Sequence, residues 1–133
     1  MTRFLLDTNH ASAIWRNDSR MGIRLSSELD PELGLCSPSI GELWFMVFKS
    51  ARAESNRIKM EVFIQRFAFW EFDYPSTIEF GRIRTELHRK GRPIPSIDIQ
   101  IAAIARTNDL VLLTSDKHFI EIEQLKTQNW LSS

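Results

Sequence analysis

The chain has 133 residues, among which 17 basic and 17 acidic residues give a formal net charge of zero. The length is typical of one domain, and a composition of 43% hydrophobic and 26% charged residues excludes a disordered chain. We therefore expect a single globular domain over residues 1–133. The one cysteine, Cys36, excludes an internal disulfide and any zinc site built from several thiolates.

The sequence predicts neither a membrane span nor a signal peptide. Its longest unbroken apolar run covers residues 43–48, whereas a span needs roughly 18 residues. The apolar residues 4–6 are too few for the core of a signal peptide. We therefore expect a protein of the reducing cytoplasm. Zero net charge argues against coating of nucleic acid by bulk electrostatics, but it leaves open charge that is segregated into patches.

Short strands and helices alternate along the first half of the chain. Pro38 fits the first turn of a helix that Ser37 caps, and the apolar residues around Phe63 and Phe67 recur at helical spacing. The predicted elements are a strand at 3–7, helices at 8–16 and 19–29, a strand at 33–37, and helices at 38–52 and 54–70.

The second half of the chain continues the alternation. Gly91 predicts the end of a helix that carries Arg89 and Lys90 in its last turn, and Ser96 is expected to cap the next helix. The predicted elements are a strand at 71–74, a helix at 75–91, a helix from 96, a strand at 110–114, a turn or short helix at 118–124 and a strand at 127–130. Strands separated by helices pair in parallel, which predicts a three-layer α/β/α domain with a mainly parallel central sheet.

Four acidic residues are candidates for a site at the carboxyl edge of this sheet, where such sheets bind ligands. Asp7 ends the first strand, Glu42 and Asp98 lie near the starts of helices, and Asp116 follows a later strand by two residues. Each acid also has a structural explanation. Asp7 and Asp116 could cap the segments after them, Ser39 and Glu42 fit a capping box, and the helix dipole favours Asp98.

Taken together, the four acids favour a metal site. Four carboxylates that converge on one sheet edge repel one another, and burial adds to that cost. A divalent cation removes the cost, and hard oxygen ligands select Mg²⁺ or Mn²⁺ over zinc.

The acids lie within four short motifs, which are LLDTN at 5–9, IGEL at 40–43, DIQIAA at 98–103 and LLTSD at 112–116. In order and spacing these motifs resemble those of PIN-domain ribonucleases, in particular the VapC-type toxins of prokaryotic toxin–antitoxin systems. The resemblance covers residues 3–130. It implies a metal-dependent endoribonuclease that forms a homodimer and is silenced by a cognate antitoxin protein.

By position, the resemblance assigns catalytic and metal-binding roles to Asp7, Glu42, Asp98 and Asp116. It assigns supporting roles to the polar residues Thr8, Asn9 and Thr114. The chain departs from the family pattern at two points. Many VapC-type chains carry asparagine at the position of Asp116, and Gly41 is a weak helix former directly before Glu42.

The residue types predict metal-assisted hydrolysis, because the motifs contain no histidine and no Lys–Ser or Cys–His pair is suggested by spacing. A metal held by carboxylates lowers the pKa of a water and delivers it as hydroxide to a phosphodiester. We assign Asp7, Glu42 and Asp98 mainly to the first ion. Asp116 is assigned to orienting the water or to a second ion, which would stabilise the leaving 3′ oxygen.

Basic residues are grouped along the chain despite the zero total. Residues 82–92 contain five basic residues against one acid, residues 49–59 contain four against one, and Arg16, Arg20 and Arg24 form a smaller group. We predict that the RNA contacts come from the first group, namely Arg84, Arg89, Lys90 and Arg92. Solvated helix faces are the alternative explanation of each group.

Two histidines and an aromatic segment leave alternatives open. His10 and His118 follow Asp7 and Asp116 closely, so a role beside the acids is possible, but we expect them at the surface or at the edge of the core. The aromatic residues of the helices at 38–70 are most simply core. They could also leave a patch for an antitoxin helix or a second subunit.

Other functions fit the sequence less well. A phosphatase with an aspartyl nucleophile needs a second acid where this chain has Asn9, and no Gly-rich phosphate loop supports nucleotide hydrolysis. The alternative from another class is a non-catalytic PIN-like module that binds RNA or a partner protein. The presence of all four acids favours the nuclease.

Overall fold

The computed structural model describes residues 2–132. The strands are β1 Arg3–Leu6, β2 Glu32–Cys36, β3 Ala68–Trp70, β4 Val111–Leu113 and β5 Thr127–Gln128. The helices are α1 Thr8–Trp15, α2 Ser19–Ser27, α3 Ser37–Phe48, α4 Ala53–Ile64, α5 Tyr74–Lys90 and α6 Ser96–Thr107, with a 3₁₀ helix at Lys117–Glu121. Among these residues, no helix has the length and apolar composition needed to cross a membrane.

The five strands form one sheet in the order β3-β2-β1-β4-β5, and every neighbouring pair is parallel. The first strand therefore lies at the centre. Leu5 pairs with Gly34 of β2 on one side and with Leu112 of β4 on the other. The predicted parallel sheet is confirmed.

Each face of the sheet carries its own apolar core, because successive side chains of a strand point to opposite faces. Phe4 and Leu6 lie in a core with residues of α1, α2, α3 and α4. Leu5 lies in the other core, with residues of α5 and α6. The sheet is thus covered on both faces, which confirms the three-layer α/β/α architecture.

The third strand lies earlier than the sequence predicts. Helix α4 ends at Ile64, and the strand occupies Ala68–Trp70, where a helix was expected, rather than 71–74. The physical reason is tertiary pairing: Phe69 pairs with Leu35 at the edge of β2, and Phe67 still packs on the ring of Phe63 after the turn.

Three expected helix caps are also wrong. Helix α3 starts one residue early, with Cys36 at its N-cap and no capping side chain, so the Ser37 hydroxyl accepts a bond from the Phe72 N–H instead. Ser39 is buried beside Cys36 and forms no capping box with Glu42. Helix α6 likewise has Pro95 rather than Ser96 at its N-cap.

A substitution at Gly34 tests the packing of β3 against β2. A Cβ atom there would lie 2.7 Å from Cδ1 and from Nε1 of the Trp70 ring. We expect Gly34→Ala to lower the free energy of unfolding by about 1–3 kcal/mol, because the ring must move out of its place. Urea unfolding followed by circular dichroism measures the change.

Gly81→Ala is the matched control for Gly34→Ala. Gly81 lies in α5 with no atom within 4 Å of its added Cβ. Since alanine is the better helix former, we expect this variant to be as stable as the parent or more stable by up to about 1 kcal/mol. Equal destabilisation of both variants would contradict the proposed role of Trp70.

Candidate active site

The pairing of β1 with β4 brings two acid-bearing segments together. Leu6 and Leu113 are paired at the carboxyl ends of these strands. Asp7 follows Leu6, and its backbone N–H donates to the Leu113 carbonyl at 3.0 Å. The segment that leads to Asp116 leaves the sheet from the same strand end as Leu113.

All four predicted acids line one cleft of about 390 Å³. Helix α3 contributes Glu42 and the start of α6 contributes Asp98. The cleft is lined by Asp7, Thr8, Asn9, Glu42, Pro95, Ile97, Asp98, Ile101, Asp116 and Phe119. The structure therefore brings the four acids together with Thr8 and Asn9, whereas Thr114 is buried and is not among the lining residues.

Asp7 is held by two hydrogen bonds on one of its oxygens. It is only 6% exposed and is the N-cap of α1. Its Oδ1 accepts from the backbone N–H of His10 at 2.8 Å and lies 3.1 Å from Nδ1 of the same residue. The capping role expected for Asp7 is thus confirmed, and it coexists with a place in the cleft.

Thr114 fixes the segment that carries Asp116. The buried Thr114 hydroxyl accepts from the Asp116 N–H at 3.0 Å. Asp116 in turn caps the 3₁₀ helix, since its Oδ1 accepts from the His118 N–H at 2.9 Å. Thr114 therefore acts on the backbone beside the acid and does not line the cleft itself.

His118 lies between two of the acids. Its Nδ1 is 3.3 Å from Oδ2 of Asp98 and 3.3 Å from Oδ1 of Asp116. The pKa of Asp98 is raised above its usual value, chiefly because burial disfavours the charged carboxylate. The His118 hydrogen bond lowers this pKa, whereas the charges of Asp116 and Asp7 raise it further.

The cleft acids lack basic partners of the kind that other acids of the chain have. Elsewhere Asp18, Glu79 and Asp109 pair with arginine or lysine. Within residues 2–132, the salt bridges of the four cleft acids involve His10 and His118 alone. The cleft therefore concentrates negative charge that protein cations do not balance.

The donor atoms of the cleft fit a divalent cation. One ligand atom each from Asp98, Asp116 and His118 lie within 4.8 Å of one another. Carboxylate oxygens are the ligands that Mg²⁺ and Mn²⁺ prefer. A bound cation would also favour the charged form of Asp98, whose pKa is raised by burial and by the charges of Asp116 and Asp7.

The four predicted RNA contacts do not line the cleft. Arg84 and Pro93 line a small neighbouring cavity beside the start of α6, whereas Arg89 lies on another side of α5. Lys90 contacts Glu123 at 3.3 Å and donates to the Glu121 carbonyl. Arg92 is exposed just after the helix end at Gly91.

His10 and His118 are the site residues that the sequence reasoning undervalued. His10 is fully buried on Asp7 rather than at the surface or core edge. His118 is exposed, as expected, but its Nδ1 also lies 3.3 Å from two cleft acids. Their spacing was the available signal, since His10 follows Asp7 by three residues and His118 follows Asp116 by two.

A larger cleft of about 630 Å³ lies elsewhere, against α5 and α6. Arg106 lies in its wall, where it bonds Glu79 at 2.6 Å and Glu86 at 3.2 Å. Since these acids are already paired with a guanidinium, this cleft is an ion-paired helix contact and not a second acidic site.

The PIN domain family matches residues 4–125 of the chain. Ribonuclease VapC2 of Haemophilus influenzae is 30% identical over 98% of this chain and 100% of its own length. The tRNA(fMet)-specific endonuclease VapC of Shigella flexneri is 30% identical over 98% of this chain and 99% of its own length.

A solved structure has the same fold. The crystal structure of VapBC2 from Rickettsia felis bound to a DNA fragment from their promoter aligns with a TM-score of 0.87 and 30% identity. That alignment covers 97% of this chain and 99% of the other. Together with the acidic cleft, these similarities show that the chain belongs to the PIN domain family and, within it, to the VapC ribonucleases.

Proposed function

We propose that the chain is the toxin of a VapBC-type toxin–antitoxin pair and cleaves RNA at the acidic cleft with bound Mg²⁺ or Mn²⁺. The observation that carries this proposal is the convergence of four carboxylates on one cleft of about 390 Å³. Among residues 2–132 these carboxylates pair with no lysine or arginine. Such a site is arranged for an external cation.

The proposed chemistry divides between the cation and the protein. When bound, the cation supplies Lewis acidity, which acidifies a water and offsets charge on the phosphate. Asp7, Glu42 and Asp98 would hold it, and Asp116 would orient the water or hold a second ion. The Thr114 hydroxyl, by its bond to the Asp116 N–H, sets the position from which that carboxylate acts.

The RNA would reach the cleft across the basic end of α5. Arg84 lies beside the loop that leads to the start of α6, where Asp98 is located. Arg89 and Lys90 lie in the last turn of α5 and Arg92 follows its C-cap Gly91. Arginine forks suit phosphate oxygens. Because the Shigella flexneri relative is named for tRNA(fMet), we propose tRNA as the substrate class.

The groove between α3 and α4 is proposed to bind the antitoxin. It is lined by Ile40, Trp44, Phe48, Arg57, Glu61 and Ile64 and measures about 440 Å³. Phe45 and Phe48 are each 62% exposed on α3, and Ile58 and Val62 are exposed on α4. The apolar side chains that line the groove fit the apolar face of an amphipathic helix.

This antitoxin assignment rests on relatives that were solved as VapBC complexes, such as the one from Rickettsia felis.

The homodimer that the family resemblance implies remains a prediction. Light scattering would report it as a mass of about twice 15.5 kDa.

Loss of one ligand tests the nuclease directly. Asparagine at position 7 keeps an N-cap oxygen but removes a charge from the cleft. We expect Asp7→Asn to lower Mg²⁺- or Mn²⁺-dependent cleavage of tRNA by about 100-fold or more, because even the partners of metal ligands contribute about 10–100-fold. Cleavage is followed on denaturing gels, and EDTA should abolish it in the parent.

Asp109→Asn is the control for Asp7→Asn, because Asp109 is an exposed acid paired with Lys126 outside the cleft. It should cleave like the parent. Full metal-dependent activity in Asp7→Asn would show that the site assignment is wrong. No cleavage by the parent with any RNA, together with RNA binding, would favour the non-catalytic module.

Charge reversal tests the RNA surface. We expect Arg89→Glu with Arg92→Glu to weaken cleavage and to flatten its dependence on salt. For single-stranded RNA, each lost phosphate contact reduces the slope of the logarithm of the binding constant against the logarithm of the salt concentration by about 0.7. The measurement is kcat/KM at several salt concentrations. Lys59→Glu reverses a charge in the basic group of residues 49–59. A larger effect of this variant would indicate that the RNA binds at that group instead.

A change in the α3–α4 groove tests the antitoxin assignment. We expect Phe48→Glu to weaken inhibition by the co-expressed antitoxin by about 30-fold or more, because a buried aromatic anchor is worth at least about 2 kcal/mol. RNA cleavage by the free chain should not change. Ile23→Glu, on an exposed position of α2, should be inhibited like the parent. Unchanged inhibition of Phe48→Glu would exclude this groove.

A further inference from the structure

His10 joins the first cleft acid to the other end of the chain. Its ring is fully buried. Nδ1 lies 3.1 Å from Oδ1 of Asp7, and Nε2 accepts from the backbone N–H of Trp130 at 3.0 Å. These residues are three and 120 positions away in sequence. The ring is therefore the link between the start of α1 and the C-terminal segment.

The two hydrogen bonds determine the tautomer of the ring. The Trp130 N–H can only donate, so Nε2 must be the unprotonated nitrogen. In the neutral ring the proton then lies on Nδ1 and is donated to Asp7. If both ring nitrogens carried protons, the Nε2–H donor would face the Trp130 N–H donor, and this hydrogen bond could not form.

The C-terminal segment is itself anchored next to a second acid. The Thr114 N–H donates to the Gln128 carbonyl at 2.9 Å, and the Trp130 ring packs on Phe4 of β1 at 5.0 Å between ring centroids. Thr114 in turn bonds the backbone of Asp116. The segment from Thr127 to Trp130 thus contacts both His10, which hydrogen-bonds Asp7, and Thr114, which hydrogen-bonds the backbone of Asp116.

We propose that His10 is a positioning residue that orients the Asp7 carboxylate for the cation, acting as its Nδ1–H tautomer with the Trp130 backbone as its anchor. With Oδ1 occupied by the His10 backbone and ring, Oδ2 is the oxygen left for the cleft. This inference rests on the proposed function in that the ligand is the cation of the cleft.

Two substitutions test the two hydrogen bonds of the His10 ring separately. An asparagine amide nitrogen takes about the place of Nδ1, so His10→Asn retains a donor to Asp7 but loses the acceptor for Trp130. A glutamine amide takes about the place of Nε2, so His10→Gln retains the acceptor and loses the donor. His88→Gln, on an exposed histidine of α5, is the matched control.

The affinity of the intact chain for Mn²⁺, titrated by electron paramagnetic resonance, tests the effect of the Asp7 orientation on cation binding without any RNA. We expect His10→Gln to bind Mn²⁺ about 10-fold or more weakly, the range for lost partners of metal ligands. His10→Asn should bind within about threefold of the parent, although its Tm should fall by several degrees because the buried Trp130 N–H loses its acceptor.

Parent-like Mn²⁺ affinity in His10→Gln, with only a lowered Tm, would overturn the proposal and leave His10 a purely structural residue. If the parent bound no Mn²⁺, the proposed function would fail instead. The tautomer is then still tested by ¹⁵N NMR of the ring. A protonated Nδ1 with an unprotonated Nε2 supports the link to Asp7, and the opposite tautomer excludes it.

Discussion

Parallel pairing of β1 with β4 at the centre of the sheet is the constraint on which the site depends. Leu6 lies opposite Leu113, so the segments that follow both strands leave the sheet at one edge. Asp7 and Asp116 belong to these segments, and α3 and α6 bring Glu42 and Asp98 to the same cleft. Four acids separated by up to 109 positions therefore become neighbours through the pairing of β1 with β4 and the packing of α3 and α6 in the two cores.

Gathering these acids has an electrostatic cost that the protein reduces with hydrogen-bond donors rather than with basic residues. Backbone N–H groups cap Asp7 and Asp116, and imidazoles lie against Asp7, Asp98 and Asp116. The pKa of Asp98 is still raised, chiefly by burial and further by the charges of Asp116 and Asp7. An arginine would remove more of the repulsion, as Arg106 does between Glu79 and Glu86, but it would also occupy the place of a cation.

The sequence predicts the sheet and the acids because both depend on local patterns. Apolar residues 4–6 and 111–113 encode buried strands, and an acid at the end of a strand can be recognised from the sequence. The third strand was misplaced because the apolar run through Phe69 is compatible with either structure, and only pairing with β2 decides. The burial of His10 was equally inaccessible, because its second partner is the backbone of Trp130, 120 positions away.

Capping and cation binding are compatible roles for one carboxylate, although the sequence presented them as alternatives. An ionised carboxylate has two oxygens and about four lone-pair sites, so a cap on one oxygen leaves the other free. The cap is a hydrogen bond from a backbone N–H, and it therefore fixes the direction of the Asp7 side chain without a basic side chain beside it. The helix start thus orients the ligand, and the charge remains available to the cleft. For this reason a residue that reads as a good N-cap at a strand end is a stronger candidate ligand, because its orientation is already determined by the fold.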